Sequence, residues 1–184
     1  MSSFFLGRRA FIHQSGLLLS GTAVALLAGR DALAKPANAT VESDVAILNA
    51  ALGAELEAVA AYQVGAESGL LQKPTLDLAV KFQGHHKAHA EVLAGTIRKL
   101  GGDAVGPKAK YDFPVQTLKA QADVLRFAGG LEKGAVSAYV GAIGKFNDRE
   151  LARAAASILG DEAMHWAILR NAIGEDPVPA AFVG

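Results

Sequence analysis

The chain has 184 residues, a length that suits one domain, and its 18 basic and 18 acidic side chains leave a formal net charge of zero. No basic excess is available to neutralise phosphates, which argues against nucleic acid as a partner. Cysteine is absent, so no disulfide can stabilise the fold and stability must come from a buried core.

Residues 1–34 have the order of a secretory signal peptide. Arg8-Arg9 precedes an apolar stretch at 16–28, and Ala32-Leu33-Ala34 is a small-x-small cleavage pattern. The paired arginines resemble those of a twin-arginine (Tat) signal, although Gly7 stands where Ser or Thr is more usual. The sequence therefore predicts export by the Tat machinery, cleavage before Lys35 and a periplasmic protein.

An uncleaved membrane anchor is the alternative interpretation of this segment. Its apolar run of 13 residues is shorter than the roughly 20 that a spanning helix needs, which favours cleavage and no stable membrane span afterwards. Removing the three arginines and one aspartate of residues 1–34 leaves 15 basic and 17 acidic residues in the mature domain, 35–184, a net charge of −2.

Four long helices are predicted in the mature domain from apolar residues at helical spacing. They span about 43–65, 75–100, from just after Pro114 to 146, and 147–174. Gly129-Gly130 weakens the third helix. Asn147 suits the N-cap of the fourth, with Glu150 completing a capping box. Pro177 and Pro179 stop any helix in the apolar tail, which is expected to pack on the bundle or on a neighbour.

The connection between the second and third helices determines the topology. Residues 101–113 can reach ~43 Å when extended, whereas a 25-residue helix is ~38 Å long. This connection can therefore run the length of the molecule and let the third helix start beside the start of the second. The sequence predicts an all-α four-helix bundle with one long crossover.

The polar residues of the predicted helices form an internal repeat, in two halves about 76 residues apart. Each half has a Glu-x6-Tyr pattern on its first helix and a pair three residues apart on its second, so each pair lies on one helical face. The two halves consist of Glu55, Tyr62, His86 and His89, and of Glu132, Tyr139, Glu162 and His165.

These acids lie within apolar stripes, where an uncompensated carboxylate would be strongly unfavourable. All four histidines of the mature domain fall in the same two segments. Carboxylate oxygen and imidazole nitrogen together suit iron, manganese or zinc, in one or two ions. The predicted metal ligands are Glu55, His86, His89, Glu132, Glu162 and His165.

Other polar residues are given lesser roles. Glu57, Glu67 and Glu91 fall off the stripe and are interpreted as solvated charges. His85 is expected beside the ligands or at the surface, although it could pair with His89. Asp161 is expected to orient a ligand histidine.

The repeated pattern resembles the ferritin-like di-iron carboxylate superfamily, with bacterioferritin and rubrerythrin as relatives, from about residue 46 to 169. The Leu-Asn-x-Ala-Leu opening at 48–52 and the Gly-His-x-x-Ala-His segment at 84–89 are similar to those of exported bacterial ferritin-like domain proteins.

The resemblance implies specific roles for the predicted residues. Glu55 and Glu132 would be terminal ligands, and Glu162 would bridge two metals. His89 and His165 would each bind one ion. Tyr62 and Tyr139, the candidate catalytic residues, would hydrogen-bond to ligands or be redox-active.

His86 departs from the family pattern, which has a bridging glutamate at this position. The site then offers three negative charges instead of four. A single metal, or an asymmetric pair with His86 as an extra nitrogen ligand, follows as an alternative to a symmetric dinuclear centre.

Three functions are compatible with this pattern. The first is an oxidoreductase that handles ferrous iron, oxygen or peroxide in the periplasm. The second is a protein that binds a metal without turnover, in stress or desiccation. The third is a structural bundle without metal. A storage cage is disfavoured because the chain shows no acidic cluster suited to mineral nucleation. The sequence is compatible with a homo-oligomer but does not determine the number of subunits.

Overall fold

A computed structural model describes residues 39–183 and shows an all-α architecture over that range. The predicted signal peptide, residues 1–34, lies outside the described residues. The four helices are α1 (Ala39–Glu67), α2 (Lys73–Lys99), α3 (Gln121–Ile143) and α4 (Arg149–Ala172), with one 3₁₀ turn at Val115–Thr117.

Contacts at the helix ends establish the topology. The backbone N–H of Gln72, just before α2, donates to Oε1 of Gln121, the first residue of α3, at 2.9 Å. The helices α2 and α3 therefore start at the same end of the bundle. At the other end, Gly102 lies against Val45 near the start of α1. The segment 100–120 must run from one end to the other, and the predicted crossover is confirmed.

The helix α3 begins at Gln121, several residues later than predicted, so the crossover is longer than expected. Asp123 explains this start, because its Oδ2 accepts hydrogen bonds from the backbone N–H groups of Lys119 and Ala120. The Gly129-Gly130 pair does not interrupt the helix. Tertiary packing on α4 outweighs the weak helix propensity of glycine here.

The predicted N-cap of α4 is wrong by one residue. Asp148 is the N-cap, and its Oδ1 accepts from the backbone N–H of Glu150 at 2.7 Å. The backbone and side-chain N–H groups of Asn147 instead donate to Oδ1 of Asp44 in α1. A buried acid on a distant helix thus determines where α4 begins.

The apolar tail does not pack on the bundle through its large side chains. Val178, Phe182 and Val183 are exposed by 75%, 92% and 45%. Arg170 holds the start of the tail, because its Nε donates to the backbone oxygen of Asp176 at 2.6 Å. The expectation of packing on the bundle is therefore wrong for these side chains.

Two apolar clusters of the described residues fill the interior, one towards each end of the bundle. The larger includes Leu48, Leu52, Leu93, Ile97, Leu151 and Ile158. The smaller includes Tyr62, Phe82, Leu125, Ala128 and Leu169. The predicted metal ligands lie between these clusters along the helices, so a polar layer interrupts an otherwise apolar core.

Among the described residues, α1 alone has the length and hydropathy of a membrane-spanning helix. Its Asp44 and Glu55 are buried and hydrogen-bond to residues outside α1. These contacts show α1 as a core helix of the bundle.

Candidate metal centre

All four helices contribute to one buried polar cluster at the centre of the bundle. Glu55 comes from α1, Glu132 from α3, and the pairs His86/His89 and Glu162/His165 come from α2 and α4. Five of the six side chains are at most 3% exposed, and His89 is 16% exposed. The structure therefore brings together all six residues that were predicted as metal ligands.

The six side chains form two overlapping groups, in each of which the potential ligand atoms lie within 4.8 Å of one another. One group contains Glu55 and His89, and the other contains Glu132 and His165. His86 and Glu162 belong to both groups. Shared residues between two ligand sets are the arrangement that a pair of neighbouring metal ions requires.

Several polar atoms of the cluster are buried without a hydrogen-bond partner among the described residues. These atoms are both carboxylate oxygens of Glu162, Oε2 of Glu132, and Nδ1 of His89 and of His165. His89 Nδ1 lies 3.0 Å from Glu162 Oε1, but without the alignment of a hydrogen bond. Orphaned buried oxygens and nitrogens are unfavourable unless a cation satisfies them. The donor set therefore fits a metal such as iron, manganese or zinc.

His86 contacts acids from both halves of the repeat. Its Nδ1 lies 2.8 Å from Oε2 of Glu55, and its Nε2 lies 3.3 Å from Oε1 of Glu132. The imidazole thus stands between the two acids that the resemblance assigns as terminal ligands. A glutamate at this position would face the same two carboxylates with a like charge.

The histidines have raised pKa values. Burial lowers the pKa of His86, but hydrogen bonds to Glu132 and Glu55 outweigh this effect and raise it to about 10. Burial also lowers the pKa of His89, but the nearby carboxylates of Glu162 and Glu55 outweigh this effect and raise it to about 9. For His165, contacts to Asp161 and Glu132 outweigh burial and raise the pKa to about 11. The three imidazoles therefore favour their protonated state, and a metal must displace protons to bind.

The carboxylates show the reciprocal effect. Burial raises the pKa of Glu55, but the hydrogen bond with His86 and the nearby His89 outweigh it and leave the pKa lowered. The pKa of Glu132 is likewise held well below its ordinary value, because the histidine contacts outweigh burial. Both acids are therefore ionised at neutral pH, the state in which carboxylates bind metals.

The two tyrosines cross between the halves of the repeat. Tyr62 of α1 donates its hydroxyl hydrogen to Oε1 of Glu132, and Tyr139 of α3 donates to Oε1 of Glu55 at 2.7 Å. Burial, followed by the nearby carboxylates, raises the pKa of each phenol well above 10. The tyrosines therefore stay protonated and orient the acids. This contact agrees with the hydrogen-bonding role that the resemblance implies, and their redox role stays a prediction.

Asp161 and His85 extend the polar network towards the surface. Asp161 Oδ2 lies 3.3 Å from Nε2 of His165 and 3.5 Å from Nε2 of His89. It also lies 2.9 Å from Nδ1 of His85. The sequence predicts that Asp161 orients one histidine, whereas the structure places it near three. The contact between His85 and Asp161 was not predicted. The spacing of four residues could have indicated these contacts, because it places Asp161 on the same helical face as His165, and His85 on the same face as His89.

The acids that were interpreted as solvated lie apart from the cluster. Glu57 forms an ion pair with Lys108 at 3.7 Å. Glu67 is exposed and accepts a hydrogen bond from Gln63. Glu91 is exposed on α2. None of the three belongs to the potential metal-binding groups found among the described residues.

A groove between α1 and α3 reaches the cluster from outside. Small residues of both helices line it together with Glu57, and Glu55, His86 and Glu132 also contribute to its lining. We call it the α1–α3 groove; its small residues are Ala54, Ala58, Gly130, Gly134 and Ala135. Because these residues leave space between the helices, a small molecule can approach the carboxylates.

A bundle with one long crossover and a buried layer of carboxylates and histidines from all four helices has the architecture of ferritin-like proteins. The profile of the ferritin-like domain matches residues 43–175. This match covers most of the chain, and the protein belongs to the ferritin-like domain family.

The solved structures with a similar fold include two bacterial proteins. One is a conserved hypothetical protein from Mycobacterium tuberculosis, with a TM-score of 0.66 and 21% identity, covering 77% of this chain and 97% of that chain. The other is a dodecameric thioferritin, the bacterioferritin-related protein from Bacteroides fragilis, with a TM-score of 0.64 and 24% identity, covering 84% of this chain and 94% of that chain. A sequence search finds no match among curated proteins.

Proposed function

We propose that this protein binds iron or manganese at the bundle-centre cluster and acts in the periplasm on ferrous iron, oxygen or peroxide. The observation that carries the proposal is the set of five buried, unpartnered atoms on Glu132, Glu162, His89 and His165. All five atoms belong to members of the two potential metal groups, and two of them are on Glu162, which both groups share. A divalent cation would satisfy them together.

Different residues of the cluster would hold the two ions. Glu55 and His89 would hold one ion, Glu132 and His165 the other, and Glu162 would contact both. His86 would supply nitrogen to one of the ions. A bound iron or manganese would supply the electron transfer to oxygen or peroxide.

The protein itself would position and protect this chemistry. Tyr62 and Tyr139 hold the two acids through their hydroxyl groups. The α1–α3 groove would admit a small oxidant to Glu55 and Glu132. The apolar clusters on either side would exclude bulk water from the ligands.

Metal binding without turnover is the second candidate function. His86 favours it, because this side chain bonds to both Glu55 and Glu132 and brings no negative charge for a second ion. Oxygen consumption after addition of ferrous iron distinguishes the two: uptake of oxygen in step with ferrous iron supports an oxidoreductase, and stable ferrous binding supports a holding protein.

The decisive experiment measures metal content in matched variants. Apoprotein is loaded with ferrous iron under anaerobic conditions or with manganese, desalted and analysed for bound metal. Glu132→Ala should lower the metal content, because it removes a ligand of one group. The control Glu91→Ala should leave it unchanged, because Glu91 is an exposed acid outside the potential metal groups. Wild-type protein that binds no metal would support the metal-free structural bundle instead.

The proposal also includes export and self-association. The signal-like residues 1–34 support a periplasmic mature protein, which sequencing of the N-terminus from the periplasmic fraction would test. Large apolar side chains on the outer surface, such as Val80, Val140 and Met164, support a homo-oligomer. The similar Bacteroides fragilis protein is dodecameric, and light scattering would measure the state of this one.

A further inference from the structure

Three potential ligand atoms converge just outside the central cluster, between α2 and α4. Nδ1 of His85 lies 2.9 Å from both Nε2 of His165 and Oδ2 of Asp161. The third side of this triangle, from His165 Nε2 to Asp161 Oδ2, is 3.3 Å. The three atoms thus form a compact group that shares only His165 with the central cluster.

We propose that His85, Asp161 and His165 form an outer site that captures a divalent cation and passes it to the central cluster. The destination of the ion is the centre proposed above, so the transfer step rests on the proposed function. Binding at the outer site stands on its own geometry.

The distances suit a first-row divalent metal. Metal–ligand bonds of about 2.0–2.1 Å place neighbouring ligand atoms about 2.9 Å apart in octahedral geometry and about 3.3 Å apart in tetrahedral geometry. The three sides of the triangle fall within this interval. Two imidazole nitrogens and one carboxylate oxygen are a donor set for zinc, cobalt, iron or manganese.

Exposure falls from one ligand to the next. The His85 side chain is 36% exposed, Asp161 is 22% exposed and His165 is 1% exposed. An ion can therefore reach His85 from solvent and contact a fully buried imidazole in the same site. This approach lies between α2 and α4, whereas the α1–α3 groove reaches the cluster between the other two helices.

His165 connects the two sites. Its Nε2 faces His85 and Asp161, while its Nδ1 lies 3.5 Å from Glu132 and 3.6 Å from Glu162. A neutral imidazole has one nitrogen free to bind a metal, and the other carries hydrogen. Occupation of the centre through Nδ1 leaves Nε2 as an N–H that donates to Asp161. The outer site therefore empties as the centre fills.

Blocking the centre should make the outer site measurable by itself. In Glu162→Gln, the residue shared by both central groups is no longer a charged ligand. Isothermal titration with Co²⁺ should then show about one ion per chain, and adding His85→Ala should weaken that binding at least about tenfold. Glu91→Ala, an exposed acid on the same helix, is the control and should leave it unchanged.

Loading of the wild-type centre tests the transfer. In stopped-flow absorbance with Co²⁺, His85→Ala should slow loading at least about tenfold with the same final stoichiometry, and Glu91→Ala should load at the wild-type rate. Glu162→Gln protein that binds no Co²⁺, or binds it equally with and without His85, would overturn the outer site. Equal loading rates for wild type and His85→Ala would overturn the transfer. Wild-type binding that depends wholly on His85 would support the outer site and overturn the centre.

Discussion

His86 is the residue at which this chain departs from the resemblance, and the structure shows what the departure does. The imidazole uses both nitrogens to reach Glu55 and Glu132, at 2.8 and 3.3 Å. It therefore links the two halves of the repeat by hydrogen bonds at the position where the family has a bridging carboxylate. Fewer negative charges at this point weaken the binding of the second of the two proposed ions.

Restoring the negative charge should strengthen binding of the second ion. His86→Glu should increase the bound metal towards about two ions per chain, because the new carboxylate neutralises a second divalent cation. Elemental analysis after loading with manganese measures this stoichiometry. Lys87→Glu is the matched control, since it adds a carboxylate at the exposed neighbouring position and should change nothing. Unchanged stoichiometry in His86→Glu would contradict the role assigned to His86.

At the scale of elements, a single buried acid joins α1 to the turn between α3 and α4. Asp44 is 3% exposed. Its Oδ1 accepts from the backbone N–H of Asn147 at 2.8 Å, and its Oδ2 accepts from that of Asp148 at 2.9 Å. These bonds satisfy donors just before α4 that the helix itself cannot satisfy. Asp44 therefore fixes how the two helical hairpins meet.

Removing this acid should destabilise the whole bundle. Asp44→Ala should lower the free energy of unfolding by about 1–3 kcal/mol, because it leaves two partly buried backbone donors without their acceptor. Urea denaturation followed by circular dichroism measures the change. Glu42→Ala, at an exposed position two residues earlier on α1, is the control and should be near neutral. Equal stability of the two variants would show that the Asp44 contacts contribute nothing net.

At the scale of the whole molecule, the apoprotein carries its stabilising ion pairs inside the core. The folded pKa values of His86, His89 and His165 are about 10, 9 and 11, all above the ordinary 6.5. Groups with raised pKa values contribute stability that is complete below the unfolded pKa and lost as the pH rises through the folded pKa. The lowered pKa values of Glu55 and Glu132 have the opposite effect, because the stability that these acids contribute is lost as the pH falls through their folded pKa values.

The apoprotein should therefore lose stability above neutral pH. The urea concentration at its unfolding midpoint should fall between about pH 6.5 and 11, as the three histidines lose the protons that folding favours. A midpoint independent of pH would contradict the charge balance of the core.

The metal-loaded protein should have a higher melting temperature than the apoprotein at pH 7.5. Bound metal should add about 2.7 kcal/mol to the free energy of unfolding when free metal is 100-fold above its dissociation constant. Equal melting with and without metal would argue for a metal-free bundle.

The number of helices, the crossover and the six central residues follow from the sequence alone. Apolar periodicity identifies a helix and its buried face, and spacing of three residues places His86 with His89 and Glu162 with His165 on that face. The internal repeat adds that the two halves carry equivalent positions. These features are local, so a sequence pattern can predict them.

Only the tertiary structure decided the rest, because it depends on how the helices rotate and slide against one another. The start of α4 at Arg149 requires Asp44 from a helix about a hundred residues away. The meeting of His85 with Asp161 requires α2 and α4 to pack with these faces together. The crossed tyrosines and the two contacts of His86 likewise depend on packing across the bundle. Side-chain packing selects one arrangement of helices, and no local pattern encodes that selection.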